Sequence, residues 1–440
     1  MNNKYLNMML AIGLAIPVAT LTHAAEIPVN NNKAGGSEMR MQNAVFYDQK
    51  IASVTAITEV FGDGQKLTAV AIEYRQPIKN DTLKVSDFVV ANRNITRVYA
   101  NNTAAQAKTG QNGHYVILEL NTNDTNAATY NSKGPALSPA SVIISQSNAI
   151  QAASGQSITA SDQPITNSLQ RNLIVDDFQQ FKFKDPKTGI VLNYNLYIPK
   201  QDSQKKQPLV LFMHDLGVTG PNPYATLTQG KGAVAWASPD AQKKHASFVL
   251  APQYPAALAN DNNQTSIYAD ITVRLIEDLQ KRYPIDSKRL YTTGQSGGCM
   301  TSIDLNIRYP KLFAASFLVA GQWDALKTTP MADHKLWILV SQDDDKAYPG
   351  MDAITSNLIQ HGAKVTRGEL DGTASSEQLS LDALKIQQQS PNSNIYYTTF
   401  KKRSVIPAGV SAAGGQGHKN TWRIAYNINS IQDWIFQQHQ

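Results

Sequence analysis

A chain of 440 residues, 42% hydrophobic and 17% charged, is long enough for two domains and apolar enough to fill a core in each, which excludes a disordered or fibrous protein. The net charge of +6 is spread over scattered lysines and arginines, without the basic stripe and interleaved aromatics of a nucleic-acid binder. The single cysteine, Cys299, excludes an internal disulfide, so packing alone must hold the fold.

Residues 1–24 read as a signal peptide. Lys4 gives a basic start, residues 6–21 are apolar and broken by Pro17, and Thr22-His23-Ala24 places small residues at the −3 and −1 positions of a cleavage site. The apolar run is too short to span a bilayer comfortably. The expected mature protein is therefore exported to periplasm or medium, with no stable membrane insertion. Residues 25–43 are polar and rich in Asn and Gly, and read as a flexible N-terminal segment.

Residues 44–165 show short alternating runs at 68–74, 95–99, 115–120 and 141–145. Turn residues separate them at Gly62-Asp63-Gly64, Asn80-Asp81, 110–113 and Lys133-Gly134-Pro135. That spacing predicts a small all-β sandwich. No catalytic cluster is visible in it, and His114 reads as a strand or turn histidine. Residues 151–170 are polar and lack periodicity, as expected of a last edge and a linker.

From 166 to 440 the pattern changes to strands alternating with helices. The run 208–213 is continuously apolar, as is 247–251, which fits strands buried on both faces. Residues 266–283 place Ile267, Ile271, Leu275 and Leu279 on one helical face. Strands follow at 289–293, 313–320, 335–341 and 364–370, with helices at 297–308, 351–361 and 421–437. The prediction is an α/β domain with a mostly parallel sheet flanked by helices. Residues 371–417 lack strong periodicity and read as a lid or substrate wall.

Gly294-Gln295-Ser296-Gly297-Gly298 matches the nucleophile elbow, G-x-S-x-G. A serine on a strained turn between strand and helix exposes its hydroxyl, and bulk two residues to either side would clash. The preceding run 289–293 and the following helix supply that context. Serine needs a base, and in this architecture the order along the chain is Ser, acid, His. His361 ends a helix before Gly362, and His439 lies at the chain end. His418, in a glycine-rich loop before the last helix, is the expected base.

The acid belongs in Asp343-Asp344-Asp345, after the strand 335–340. Asp344 is the first choice, with Asp345 the alternative. The oxyanion is expected to be held by the backbone N–H of Gly297 and of Leu216; His214 and Cys299 read as structural. Tyr254, Gln295, Trp323 and Trp422 are candidate substrate-binding residues. No metal-ligand spacing, phosphate loop or dinucleotide fingerprint is present, so no cofactor is expected.

Several pieces together carry a resemblance: Leu211-Phe212-Met213-His214-Asp215-Leu216-Gly217, Ala251-Pro252-Gln253, Gly294 to Gly298, Gly321-Gln322-Trp323-Asp324, the acidic turn 341–349, and Gly417-His418 with Trp422. Through these, residues 172–440 resemble bacterial α/β-hydrolase esterases of the polyhydroxybutyrate-depolymerase and feruloyl-esterase-like group. Through residues 59–65 and the strand after them, the first region resembles the immunoglobulin-like module that precedes some of these esterases. The resemblance implies the α/β-hydrolase fold and a serine esterase cleaving a small or polymeric ester through an acyl-enzyme. Substrate or cell-surface attachment and homo-oligomer assembly are the tasks left open for the module.

Two departures stand out. Asp215 occupies a position where many relatives have glycine, and Asp343 makes the acid turn unusually acidic. Asp344 keeps the spacing of three from Ser341. Two other readings share the same residues. A serine peptidase of the prolyl-oligopeptidase-like type is disfavoured by the absence of a blade-length repeat. A non-catalytic binding protein is disfavoured by serine, acid and histidine standing in order.

Overall fold

The computed structural model describes residues 49–130, 139–200, 205–413 and 415–440. The segments read as signal peptide (1–24) and flexible start (25–43) lie outside these residues, as do residues 44–48 and the turn at 133–135.

The N-terminal domain is built on a long hairpin. Strands Ile51–Phe61 and Gly64–Ile78 pair antiparallel across the turn Gly62-Asp63. They sit inside a five-stranded sheet ordered Leu169–Asn172, Ile51–Phe61, Gly64–Ile78, Gly113–Leu120, Ile95–Asn101. A second sheet of Phe88–Val90, Ile143–Gln146 and Ser161–Thr166 faces it. The alternation seen in the sequence sorts side chains between the two faces. Val70, Ile72 and Tyr74 pack with Phe88, Val90, Ile144 and Ile165 in the sandwich core, while Ala69, Ala71 and Ile117 point to the opposite face.

The first sheet runs past the boundary read at residue 165. Strand Leu169–Asn172 adds to it in parallel with Ile51–Phe61. It escapes a hydrophobicity reading because its inward residues are polar. The buried Asn172 Oδ1 accepts hydrogen bonds from Thr58 Oγ1 (2.7 Å), Gln65 Nε2 (3.0 Å) and Gln170 Nε2 (2.7 Å). A polar network that satisfies its members is stable when buried, but it leaves no apolar period in the sequence.

The second domain carries nine strands in the order Phe178–Lys184, Val191–Tyr197, Phe248–Gln253, Gln207–Met213, Ile285–Gln295, Ala315–Val319, Leu336–Ser341, Ile395–Phe400, Val365–Leu370. The first two are antiparallel to their neighbours; from Phe248–Gln253 onward all pairings are parallel. Alternate residues of one strand feed opposite faces. Phe212 joins Tyr291, Phe317 and Tyr426, whereas Leu211 and Met213 join Leu275 and Leu290. This explains the unbroken apolar run at 208–213. The domains share packing, since Val60 of the long hairpin sits in the same cluster as Phe212 and Trp236.

Residues 371–417 differ from the lid expectation. They contain helix Ser376–Gln389 and strand Ile395–Phe400, the latter inserted beside Leu336–Ser341. That helix buries only Leu379, Ala383 and Ile386, too narrow a stripe to stand out. The strand is buried on both faces and does not alternate. The helix read at 421–437 is two helices, Gln416–Ala425 and Asn429–Phe436. No helix among the described residues is long and apolar enough to cross a membrane.

Candidate active site

Strand Ile285–Gln295 ends at Ser296, and helix Gly297–Arg308 begins on the next residue. Ser296 holds φ 51° and ψ −119°, a sparsely populated conformation that costs roughly 1–3 kcal/mol for a residue with a side chain. The flanking glycines make the turn sterically feasible. A Cβ on Gly294 would stand 2.5 Å from the Gly298 carbonyl carbon, and one on Gly298 would stand 2.0 Å from the Met213 carbonyl oxygen. Strand, turn and helix are therefore in backbone contact, and the serine hydroxyl projects above the carboxyl end of the sheet.

The structure brings Ser296, His418 and Asp344 into one hydrogen-bonded run. His418 Nε2 lies 2.9 Å from Ser296 Oγ, and His418 Nδ1 lies 2.5 Å from Asp344 Oδ2. With Nδ1–H donated to the carboxylate, Nε2 is left to accept from the serine hydroxyl. Asp344 follows strand Leu336–Ser341, and its buried carboxylate is held by its own turn: Oδ1 accepts the amides of Lys346 (3.2 Å) and Ala347 (2.9 Å). This leaves Oδ2 for the imidazole. The adjacent Asp343 is engaged elsewhere, with Oδ2 accepting the Arg403 amide at 2.5 Å. Asp345 is exposed and forms no part of the run.

His418 is the third residue of helix Gln416–Ala425. A Cβ on Gly417 would stand 2.4 Å from the Asp343 carbonyl oxygen, so glycine there lets the helix approach the acid turn. One turn later Trp422 meets the imidazole edge-on, with ring centroids 5.0 Å apart.

The loop after strand Gln207–Met213 approaches from the other side. Asp215 Oδ1 accepts the Gly217 amide at 2.7 Å, and Oδ2 accepts Gln295 Nε2 at 2.9 Å. The carboxylate thus ties this loop to the residue before Ser296. Among the described residues no acceptor engages the amides of Leu216 or Gly297, and both residues border the cavity containing Ser296. His214 is buried, with Nδ1 bonded to the Asp215 carbonyl (2.7 Å) and Nε2 accepting the Tyr254 amide (3.0 Å). Burial holds its imidazole below the ordinary histidine range. Burial likewise pushes the Cys299 thiol up, and this side chain packs beneath the elbow as an inert group.

Three of the candidate substrate residues belong elsewhere. Tyr254 is buried in the core, its ring tilted against that of His214 and its hydroxyl on Thr272. Trp323 packs with Cys299, Met300 and Met331. Both are buried, in two different apolar clusters of the catalytic domain. Gln295 is also buried, and its Nε2 bonds Asp215 and Gln229 Oε1 (3.1 Å); it braces the loop. Trp422 lines a cavity that also holds Ser296 and His418.

Ser296 lies where two cavities meet. One, of about 620 Å³, is bordered by Leu216, Ala257, Ala259, Met300 and Gln322. The other, of about 590 Å³, lies between the domains, with Asp63 and Tyr130 of the N-terminal domain facing Gln229, Lys419, Trp422 and Arg423. The N-terminal contributions were invisible in the sequence, because no motif marks a residue whose partner lies in another domain.

Comparison with known proteins bears on both domains. Residues 53–159 match the family model of the esterase Ig-like N-terminal domain. A stretch of 145 residues, 32% of this chain, is 29% identical to acetylxylan esterase A of Aspergillus ficuum, and the chain spans 45% of that protein's length. The crystal structure of a thermostable esterase matches with a TM-score of 0.74 at 29% identity, covering 88% of this chain and 100% of that one. The fold is an α/β-hydrolase preceded by an immunoglobulin-like sandwich. The chain is a relative of esterases that carry such a module.

Proposed function

We propose that this relative of module-bearing esterases is itself a carboxylic ester hydrolase that works through an acyl-enzyme on Ser296. The observation that carries the reading is the run Asp344–His418–Ser296, with contacts of 2.5 and 2.9 Å, ending on a serine held in a strained turn. His418 takes the serine proton as Oγ attacks the ester carbonyl, and Asp344 stabilises the imidazolium that forms. The amides of Leu216 and Gly297 receive the developing oxyanion, each worth about 10²–10³ in rate. Collapse expels the alcohol, which takes the proton from His418. Water, deprotonated in turn by His418, then releases the acid.

The test is hydrolysis of p-nitrophenyl acetate and butyrate by the wild type and by Ser296→Ala. Turnover that falls by about 10³-fold or more in the variant supports the reading. Equal turnover in both proteins removes Ser296 as the nucleophile. Acetylated xylan, after which the Aspergillus ficuum relative is named, joins the short esters in the first substrate screen. Residues 1–24 are proposed to direct export, on the strength of Lys4, the apolar run and Thr22-His23-Ala24. Sequencing the N-terminus of protein recovered outside the cytoplasm tests that proposal, with cleavage after Ala24 or Ala25 expected.

A further inference from the structure

The N-terminal domain is held against the helix that carries His418 by backbone contacts. A Cβ on Gly62, in the turn of the long hairpin, would stand 2.0 Å from the Arg423 carbonyl oxygen. On the other side of the same turn, the Gly62 carbonyl oxygen lies 3.2 Å from where a Cβ of Gly230 would stand. The turn is therefore wedged between two parts of the catalytic domain, and only glycine fits there. Gly64, with φ +115°, reverses the chain, and the Tyr130 ring covers it, 3.0 Å from its Cβ position. The amides of Thr129 and Tyr130 both donate to the Gln65 carbonyl, at 2.9 and 3.3 Å. Tyr130 is thus anchored to the docked hairpin, and with Asp63 it borders the cavity that also holds Ser296 and His418.

The two cavities at Ser296 differ in chemistry. The walls around Ala257, Ala259 and Met300 are the more apolar. Those of the interdomain cavity are the more polar, with Asp63, Tyr130 and Lys419 lining it beside Trp422. Burial and the nearby Asp215 carboxylate push the Tyr130 phenol up, so it enters the cavity as a neutral hydroxyl that both donates and accepts. An ester bound at Ser296 extends two limbs from its carbonyl. A short hydrocarbon acyl chain suits the apolar cavity, and a ring bearing hydroxyls suits the polar one with its aromatic face.

We propose that the interdomain cavity is the subsite for the alcohol limb of the ester, that it takes a hydroxyl-bearing ring alcohol, and that Tyr130 and Asp63 of the N-terminal domain are specificity-determining residues. The proposal rests on the ester-hydrolase reading above. It gives the module a direct part in substrate choice.

The experiment compares kcat/KM for ethyl acetate, ethyl butyrate and cyclohexane-1,2-diol monoacetate in the full-length wild type, Tyr130→Phe, Tyr130→Ala and Asp63→Asn. Tyr130→Ala is expected to lower the diol ester relative to ethyl acetate by about 10-fold, and Tyr130→Phe and Asp63→Asn by about 3-fold each. The butyrate-to-acetate ratio is expected to hold throughout. A shift in that acyl ratio with the diol-to-ethyl ratio unchanged overturns the assignment, because the cavity then holds the acyl limb. Loss in equal proportion on all three esters in Tyr130→Phe reduces the residue to a structural one, and no change in any variant removes it from the site. A wild type that cleaves none of the three and is not labelled at Ser296 by a fluorophosphonate overturns the hydrolase reading itself. That outcome is distinct because it appears before any variant is made.

Discussion

Ser296 and His418 hydrogen-bond to each other, yet the ground beneath them is laid differently. The serine owes its position mainly to its own turn and the strands beside it: Gly294 and Gly298 touch within the turn, Met213 and His214 stand against the Cβ position of Gly298, and the Ser296 amide donates to the Val319 carbonyl at 3.2 Å. The histidine is placed by remote segments. Asp344 takes Nδ1 from a different strand end, the Asp343 carbonyl passes against Gly417, and the N-terminal hairpin presses on the helix at Arg423. One end of the run rests on its own turn and the strands beside it, and the other is a meeting of three segments. Small changes far from His418 in sequence should therefore reach it, while the elbow should answer chiefly to its own residues and to the strands and loop beside it.

The largest expected effect falls at the local end. Ser296→Ala should reduce kcat by about 10³–10⁶-fold with the fold intact, measured by ester turnover and thermal unfolding. At the remote end, Asp344→Asn keeps a carbonyl oxygen for the Ala347 amide but presents an amide group to the imidazole, reversing its tautomer. A loss of about 10⁴-fold in kcat is expected, against less than about 2-fold for the exposed Asp345→Asn. Comparable losses in the two variants would show that the acid turn is not organised as described.

Stability separates the two ends more finely. Gly298→Ala forces a Cβ into the Met213 carbonyl and should cost about 2–4 kcal/mol in urea unfolding. Gly297→Ala, whose Cβ meets nothing within 4 Å, should stay within about 0.5 kcal/mol. Gly62→Ala tests the distant support of His418: the collision with Arg423 should lower kcat by about 3–10-fold, with about 1–2 kcal/mol of stability lost. Unchanged kcat in Gly62→Ala would dissolve the contrast between the two ends.

The smallest effect concerns the loop that joins them. Burial holds the folded His214 imidazole below its ordinary value of 6.5. Below that value the unfolded chain takes up a proton that the folded state refuses. Its contribution is therefore fully present above 6.5 and is lost as pH falls toward the folded value, by at most about 1.4 kcal/mol per pH unit. Urea unfolding at about pH 7.5 and about pH 5.5 should show a smaller decline in His214→Gln than in the wild type.

The same contrast accounts for what was legible beforehand. The elbow, its strand and its helix are contiguous in sequence, so composition and pattern reveal them together. His418 and Asp344 were reached through chain order and placement. Strand Leu169–Asn172 was hidden by its buried amides, and Ile395–Phe400 by burial on both faces. Aromatic type alone could not tell a wall from a core: Tyr254, Trp323 and Trp422 read alike, and only packing put two in the core and one against His418.

By itself the sequence determined many of the strand and helix runs, the change from an all-β to an α/β pattern and the residue types the chemistry needs, because strand alternation, helical stripes and the glycine-flanked serine are short-range patterns imposed by backbone geometry. Only the tertiary structure decided that Asp344 and not Asp345 faces the imidazole, that Gln295 braces a loop, and that Gly62, Asp63 and Tyr130 stand at the active site. Those outcomes depend on which distant surfaces meet, and such meetings are fixed by the packing of whole domains, which leaves no local trace in the chain.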